Sequence, residues 1–529
     1  MVKLVFPPRT SPTYIPLGTA YLAAIGGAEE LSVFDANIEL WNHVCDTSAG
    51  LTAMRNFSHA PLEVFLCQEN YEKHFSHMPE VRRIIDVLER KAKHFIECGE
   101  LDNDLAQMLL RQSIRIRGGD ECETVAFSIM YTDQLAFAAA LAKYLKTICN
   151  YGADMVFGGS AMSAVSPLEL LDAMPYISAI LTGEGEIGFN MLLQNTPHQN
   201  IPGAFFRDNN GNVSKNASLY VKDLSQIAFP DFSSFRQNDY FNPEPVMPIL
   251  AGRGCKWRKC SFCFHNTSFG TYRERPVLAV VQEMIQLQSL YGCRHFYFAD
   301  QYIAPEELEQ LCDTILAAGL ACRFQIMART VAGYTPQLLK KAAMAGCCWI
   351  SWGMESGSQA MLDIMNKGTD VNISAQVITD AATAGISNLL MMIFGAPGSN
   401  SSYLDETFGF LDRIYPHIDA MTASSFILFD QTRFSRDAAK FGLEILGRNE
   451  LFNIGGKRIH DARLKFKRQG EEGSYESPLG AREIELWERR KVWLPELPFF
   501  GKLCCEHYLL YSSSRDGIWH KPKHIRKGA

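Results

Sequence analysis

The sequence predicts an α/β protein with two successive parallel sheets and a small mixed C-terminal region. Short apolar strands alternate with helical segments in residues 3–181, and the same alternation resumes in residues 248–428. Such βα repeats form parallel sheets with right-handed crossovers. Because ligands bind at the carboxyl ends of parallel strands, we expect functional residues in the loops that follow them.

The alternation also sets the expected domain boundaries. Polar residues with a helical period at about 60–117 interrupt the first run and predict an inserted helical pair, Val81–Cys98 and Asp102–Arg115. Turn and proline signals predict a linker before the second run, and the basic residues 456–468 predict a solvated hairpin or loop. The expected segments are 1–200, 201–247 (linker), 248–432 and 433–529.

Six strands in the second run predict a partial (β/α)6 barrel, whose site is built from loops at its C-terminal face. The predicted strands are Pro248–Ala251, His295–Ala299, Arg323–Met327, Trp349–Gly353, Leu389–Phe394 and Thr422–Leu428.

Composition narrows the class of protein. The 529 residues are 47% hydrophobic and 21% charged, and the net charge is −7, which does not favour a nucleic-acid partner. The sequence has no apolar run of 18 residues and no signal-peptide pattern at its start, so we expect no membrane span. Its 15 cysteines, an odd number, suggest free thiols or metal ligands in a reducing cytoplasm.

The most informative segment is a loop with three cysteines within nine residues, Cys255, Cys260 and Cys263. Together with His265 they form a candidate zinc site, although zinc ligands usually occur as two separated pairs. Buried thiols without a metal are a second reading, which the flanking charges disfavour. An iron–sulfur cluster is the favoured interpretation, because nearby cations stabilise thiolates and an anionic cluster. Those cations are Arg253, Lys256, Arg258 and Lys259.

The loop resembles the cluster motif of the radical S-adenosylmethionine (SAM) enzymes. Their usual spacing is C-x3-C-x2-C with an aromatic residue before the last cysteine, whereas this loop reads C-x4-C-x2-C. Strand-end segments resemble the SAM-binding motifs of that family, and Met365–Gly368 matches a segment common in the same branch. The resemblance implies that the three cysteines hold a 4Fe-4S cluster and that SAM is bound by Phe262, Asp300, Arg329, Glu355, Ser356, Gly395, Ala396 and Pro397.

The N-terminal segment resembles the cobalamin-binding domains that are fused to radical SAM barrels, which implies a Rossmann-like fold. The opening Pro7-Pro8 and the segment Pro16–Ala24 carry this similarity. No Asp-x-His-x-x-Gly follows the first strand, so we expect that no histidine of this loop binds cobalt. The resemblance implies cobalamin contacts by Pro8, Asn37, Ser128, Tyr131, Gly158, Gly159, Ser160, Gly183, Glu184 and Gly185.

Together, these resemblances imply a class B, methyltransferase-like radical SAM enzyme. Its expected cofactors are a 4Fe-4S cluster, SAM and cobalamin, and the favoured reaction is methylation of an unactivated carbon. Alternatives are radical rearrangement, cyclisation or ring contraction, or a non-enzymatic cobalamin-binding sensor. The expected partners are a small-molecule or peptide substrate and an external one-electron reductant of the flavodoxin or ferredoxin type. The C-terminal region is expected to cap the site. Residues 430–529 and the insertion at 60–117 are expected to contact the substrate, whose identity the sequence leaves open.

Overall fold

The computed structural model describes residues 1–27, 29–118, 122–208, 210–265, 270–468, 472–490 and 504–514. The chain forms two compact units. The first contains residues 1–243 and 450–462, and the second contains residues 244–449 and 463–529. The end of the predicted C-terminal segment, residues 515–529, lies outside the described residues.

The first unit is built on a sheet with β1 (Val2–Phe6) in its interior. This strand pairs in parallel with β2 (Leu31–Asp35) and β3 (Thr124–Ser128), which confirms the predicted α/β class. The predicted linker 201–247 instead contributes two short antiparallel strands to the sheet. The remaining strands, in spatial order after β3, are β4 (Asp154–Gly158), β5 (Ala179–Leu181), β6 (Ala204–Arg207) and β7 (Val213–Lys215).

Helices fill the long connection between β2 and β3. The predicted pair is present as Met78–Cys98 and Asn103–Arg117. The second of these begins one residue late because the carboxylate of Asp102 caps it, accepting the Asp104 N–H at 2.9 Å. Four short helices precede this pair: the two before residue 60 were not predicted from the sequence, and the two after it lie in the region predicted to be helical. They are Ala36–Cys45, Ala49–Phe57, Leu62–Phe65 and Gln68–Phe75.

Four further helices cover the sheet of the first unit. Leu135–Thr147 is buried along almost its whole length, as its run of alanine, leucine and phenylalanine requires. The others are Leu17–Ala23, Pro167–Ala173 and Gly185–Leu193.

The second unit contains a six-stranded parallel sheet in which each strand pairs with the next strand of the alternation. All six predicted barrel strands are present, with ends shifted by a few residues. They are β8 (Val246–Ile249), β11 (His295–Phe298), β12 (Arg323–Ala328), β13 (Cys347–Glu355), β14 (Ser387–Phe394) and β15 (Ala420–Ser425). The intervening helices are Val277–Tyr291, Pro305–Ala317, Pro336–Ala345, Gln359–Ile364, Val371–Thr383 and Ser401–Ile414.

After β15, the βα repeat ends, as predicted. A short helix, Arg433–Arg436, precedes a hairpin of β16 (Leu443–Ile454) and β17 (Lys457–Arg468). The helix Pro478–Arg490 packs on β14 and β15, and the helix Cys505–Ser513 packs on β11, β12 and β13. The Trp349 and Tyr508 rings meet edge to face at 4.6 Å.

Candidate active site

The three cysteines lie in the loop between two short strands, β9 (Gly252–Arg253) and β10 (Arg273–Glu274). Since β9 follows β8 almost directly, the loop starts at the carboxyl end of the first barrel strand. All three thiols are reduced and partly exposed. The loop therefore presents its sulfur atoms at the edge of the sheet where the sequence predicts a site.

Asp300, at the end of β11, holds the start of this loop. Its carboxylate accepts the N–H groups of Ala251 at 2.9 Å and Gly252 at 2.6 Å. Burial raises the pKa of Asp300 to about 7, although these two hydrogen bonds act in the opposite direction. Asp300 thus links the second barrel strand to the backbone that leads into the cysteines.

Glu355, at the end of β13, forms a buried ion pair with Lys367. The Lys367 Nζ atom lies 2.6 Å from Oε1, and both side chains are less than 10% exposed. Glu355 has a φ of 64° at an irregular point of the strand. A Cβ atom on Gly353 would lie 2.8 Å from Nζ, so glycine at 353 leaves room for the pair.

Arg329 and Phe262 lie near the same ion pair. The Phe262 ring centroid is 5.9 Å from Lys367 Nζ. Arg329 is buried and donates to the backbone carbonyls of Lys367 and Gly368. Its Nε–H has no hydrogen-bond partner within the part of the chain that the structure describes, which leaves one buried donor for a carboxylate-bearing ligand.

The other predicted SAM contacts belong to two adjacent strand ends. The Ser356 hydroxyl lies 3.0 Å from that of Thr407, on the helix Ser401–Ile414. At the end of β14, the Gly395 N–H donates to the buried carboxylate of Glu483 at 2.7 Å. Ser356, Ala396 and Glu483 line a cleft of about 280 Å³. Pro397 follows in the same loop, outside the lining of this cleft.

The charges that surround Cys260 differ from those expected from the sequence. Burial raises the pKa of Cys260 to about 11, opposed by the positive charges of Lys367 and Arg329. These buried residues are therefore the cations that act on Cys260, whereas Lys256 pairs with Glu306.

The first unit has an open cavity at the carboxyl ends of β3, β4 and β5, with about 470 Å³ of empty space that includes its mouth to solvent. Its inner wall is apolar and includes Leu4, Val156 and Leu181. Gly159 has a φ of 98°, and a Cβ there would lie 2.3 Å from the Ile129 carbonyl oxygen, so no side chain fits. Six predicted cobalamin contacts line this cavity: Ser128, Gly158, Gly159, Gly183, Glu184 and Gly185.

The other four predicted cobalamin contacts lie outside the lining of this cavity. Pro8 is buried in the loop after β1. The Asn37 side-chain carbonyl accepts the N–H groups of Arg9 and Thr10, which orders this loop. Ser160 donates to the Met130 carbonyl at 2.8 Å and so links the loops after β3 and β4. Tyr131, between them, is 55% exposed.

The stretch with the cysteine loop and four complete barrel strands matches a known family. Residues 249–411 match the model of the Radical SAM superfamily. The chain contains a radical SAM domain. This finding confirms the resemblance inferred from the cysteine loop and the strand-end motifs.

Known proteins are similar to the radical SAM domain and to the unit that precedes it. An uncharacterized methyltransferase of Pyrococcus horikoshii is 24% identical over 299 residues, which are 55% of this chain and 63% of that protein. Two solved structures share the fold. The cobalamin-dependent SAM radical enzyme OxsB, with aqua-cobalamin bound, aligns with a TM-score of 0.63 and 15% identity over 93% of this chain and 67% of that one. The radical SAM methyltransferase TsrM from Kitasatospora setae, with cobalamin and a 4Fe-4S cluster bound, aligns with a TM-score of 0.58 and 16% identity. That alignment covers 84% of this chain and 80% of the TsrM chain.

Two residues of the second unit that shape the site were missed from the sequence. Lys367 and Glu483 are buried charges that contact predicted SAM-binding positions, but each lies in a different element from its partner. Only the match of Met365–Gly368 to a family segment pointed to Lys367. Within the described part of the chain, no helix combines the length and apolarity that a bilayer-spanning helix needs.

Proposed function

We propose that the chain is a radical SAM enzyme that cleaves SAM reductively and, with cobalamin, methylates an unactivated carbon of a small-molecule or peptide substrate. The radical SAM domain match, which begins with a loop of three partly exposed thiols, carries the proposal. An external one-electron reductant and a cytoplasmic location accompany it. A sensor has no need for a reducible cluster, so the cysteine loop favours an enzyme.

The residues of the second unit fit a 4Fe-4S cluster and SAM. Cys255, Cys260 and Cys263 would each hold one iron, which leaves the fourth iron for SAM. The buried Nε–H of Arg329 suits the SAM carboxylate. When bound, these groups supply one-electron cleavage chemistry and cobalamin supplies methyl transfer, while the protein orients them and excludes water.

The cavity of the first unit fits the nucleotide tail of cobalamin. Its glycine-lined rim allows close approach of a ligand to the backbone, and its apolar wall suits an aromatic base. The loop after β1 contains no histidine, which supports cobalamin binding without a histidine ligand from that loop. The methyltransferase names of the Pyrococcus relative and of TsrM support methylation as the reaction.

Anaerobic reconstitution tests this proposal. The protein is incubated with iron, sulfide and cobalamin, then with SAM and a strong reductant, and iron, cobalt and zinc are counted on the same sample. We expect iron, cobalt and 5′-deoxyadenosine, with S-adenosylhomocysteine as the sign of methylation. Stoichiometric zinc with no iron uptake and no SAM cleavage would overturn it.

Replacing the three cysteines with alanine tests the cluster assignment. We expect Cys255→Ala, Cys260→Ala and Cys263→Ala each to lose iron and SAM cleavage together, because each thiolate holds one iron. Cys67→Ala, which removes an exposed thiol of the first unit, is the control. Retained SAM cleavage in the cysteine-loop variants would contradict the assignment.

A further inference from the structure

The cysteine loop of this chain has four residues between its first two cysteines, one more than the spacing usual in the family. This longer stretch contains Arg258, a non-glycine residue with a φ of 52°. Such a left-handed conformation is uncommon and persists where surrounding contacts determine it. The neighbouring Trp257 makes contacts of that kind.

Trp257 packs on the segment that follows the helix Gln359–Ile364. Its Nε1–H donates to the Asn366 carbonyl at 3.1 Å. The ring covers Gly368 so closely that a Cβ atom there would lie 2.2 Å from ring atom Cζ2. Gly368 also has a φ of 65°, so both the backbone and the space favour glycine.

Arg329 contacts the same segment and the same ring. Its guanidinium carbon lies 4.1 Å from the Trp257 ring centroid, a cation–π geometry. It also donates to the carbonyls of Lys367 and Gly368, the latter at 3.2 Å. We call Met365–Gly368 together with Arg329 the docking platform.

The docking platform also holds the chain on both sides of Cys260. The Ser261 N–H donates to the Met365 carbonyl at 2.8 Å. In return, the Asn366 side-chain amide donates to the Lys259 carbonyl at 2.8 Å. The two neighbours of Cys260 are therefore hydrogen-bonded to the same short segment, and Trp257 packs the added residues between Cys255 and Cys260 against it.

We propose that the docking platform sets the conformation of the lengthened cysteine loop through Trp257, and so positions Cys255 and Cys260 for cluster binding. Trp257 and Gly368 are positioning residues, since neither would bind iron. The inference rests on the proposed function, because it requires that the loop holds a cluster.

A matched pair of glycine variants tests this inference. Gly368 and Gly292 both have a φ of 65°, but no atom lies within 4 Å of a Cβ at 292. Gly292→Ala therefore controls for backbone strain, while Gly368→Ala adds the collision with Trp257. Each full-length protein is reconstituted anaerobically, and bound iron, the electron paramagnetic resonance signal of the reduced cluster and iron loss to a chelator are measured.

We expect Gly368→Ala to lose iron about tenfold faster than Gly292→Ala, the range of effects seen when residues behind metal ligands change. Its resonance signal should be altered, whereas that of Gly292→Ala matches wild type. Equal iron retention and equal signals in the two variants would overturn the inference. A wild-type protein that takes up no iron would instead overturn the proposed function on which it rests.

Trp257 variants keep the test decisive if Gly368→Ala fails to fold. Trp257 is partly exposed, so its replacement leaves the core intact. Trp257→Ala should lose iron faster than Trp257→Phe, which keeps a ring for Gly368 and Arg329. Adding Gly368→Ala to Trp257→Ala should cause little further loss, because the colliding ring is absent. Wild-type iron retention by Trp257→Ala would overturn the inference.

Discussion

At the scale of single residues, the buried charges at the strand ends have specific partners. The sequence located Asp300 and Glu355 correctly at strand ends, because a charged residue after an apolar strand is a local pattern. It could not reveal that Asp300 binds the backbone of Ala251 and Gly252, or that Glu355 pairs with Lys367. Those contacts join elements that only the packed sheet brings together.

Removing Lys367 should destabilise the second unit. Lys367→Met leaves the Glu355 carboxylate buried without a counter-charge, which costs about 3–5 kcal/mol in the free energy of unfolding. Urea denaturation of the cluster-free protein measures this loss. The double variant Lys367→Met/Glu355→Gln should recover part of it, since no uncompensated charge remains. A single variant as stable as wild type would contradict the prediction.

Asp300 should make the stability of the protein depend on pH. Its folded-state pKa of about 7 is above its ordinary value of 3.8, so folding favours the protonated carboxyl. Its contribution is therefore full below about pH 4 and is lost as the pH rises through 7. We expect Asp300→Asn to flatten the fall in unfolding free energy between about pH 4 and pH 7.

Unfolding titrations at several pH values in this range test the role of Asp300. Asp370→Asn is the control, because Asp370 is an exposed helix cap and asparagine caps equally well. An unchanged pH slope in Asp300→Asn would refute the assignment of this slope to Asp300.

At the scale of elements, the strands of the βα repeat were predicted better than the strands and helices outside it. Apolar runs marked all six barrel strands, but β6 and β7 were read as linker because they are short and flank an Asn/Gly turn. The helix Pro478–Arg490 covers the end of β14 through Gly395 and Gly480. A Cβ on Gly395 would lie 2.2 Å from the Gly480 nitrogen, a contact that no local sequence pattern encodes.

Gly395→Ala should displace the helix Pro478–Arg490 from β14. The added methyl meets backbone atoms, and Gly395 has a φ of 69°, so we expect a loss of about 1–3 kcal/mol in unfolding free energy. Gly409→Ala is the opposite case: it lies in a helix with open space around its Cβ position. There, alanine should stabilise by about 0.5–1 kcal/mol. Thermal unfolding of both variants measures whether unfolding free energy falls in Gly395→Ala and rises in Gly409→Ala. A Gly395→Ala variant as stable as wild type would contradict this packing.

At the scale of the whole molecule, the first unit is not continuous in sequence. Residues 450–462 belong to it, although the sequence assigned them to the C-terminal segment. The Ala462 N–H donates to the Ala164 carbonyl at 2.7 Å, and the His460 N–H donates to the Glu169 carboxylate at 2.8 Å. Domain boundaries predicted from a βα repeat miss a later segment that packs back on the first unit, because this segment is a polar strand.

Glu169→Ala should loosen this returning segment. It removes the acceptor for the His460 backbone and ring, a hydrogen bond to a charged group worth about 1.5–3 kcal/mol. Asp172→Ala, which removes only an exposed pair with Lys457, should have little effect. Hydrogen exchange at the amides of residues 457–462 measures the effect of each substitution on the returning segment. Equal protection in the two variants would show that Glu169 does not hold the segment.

The return of residues 450–462 to the first unit has a consequence for biosynthesis. The ribosome must add the 206 residues from 244 to 449 before this unit can be complete. At typical elongation rates, that interval lasts about 10–40 s. During this time, Ala164 and Glu169 of the nascent chain lack their hydrogen-bond donors, Ala462 and His460. The first unit of this protein therefore reaches its final form only after the whole stretch that matches the radical SAM superfamily, residues 249–411, has been translated.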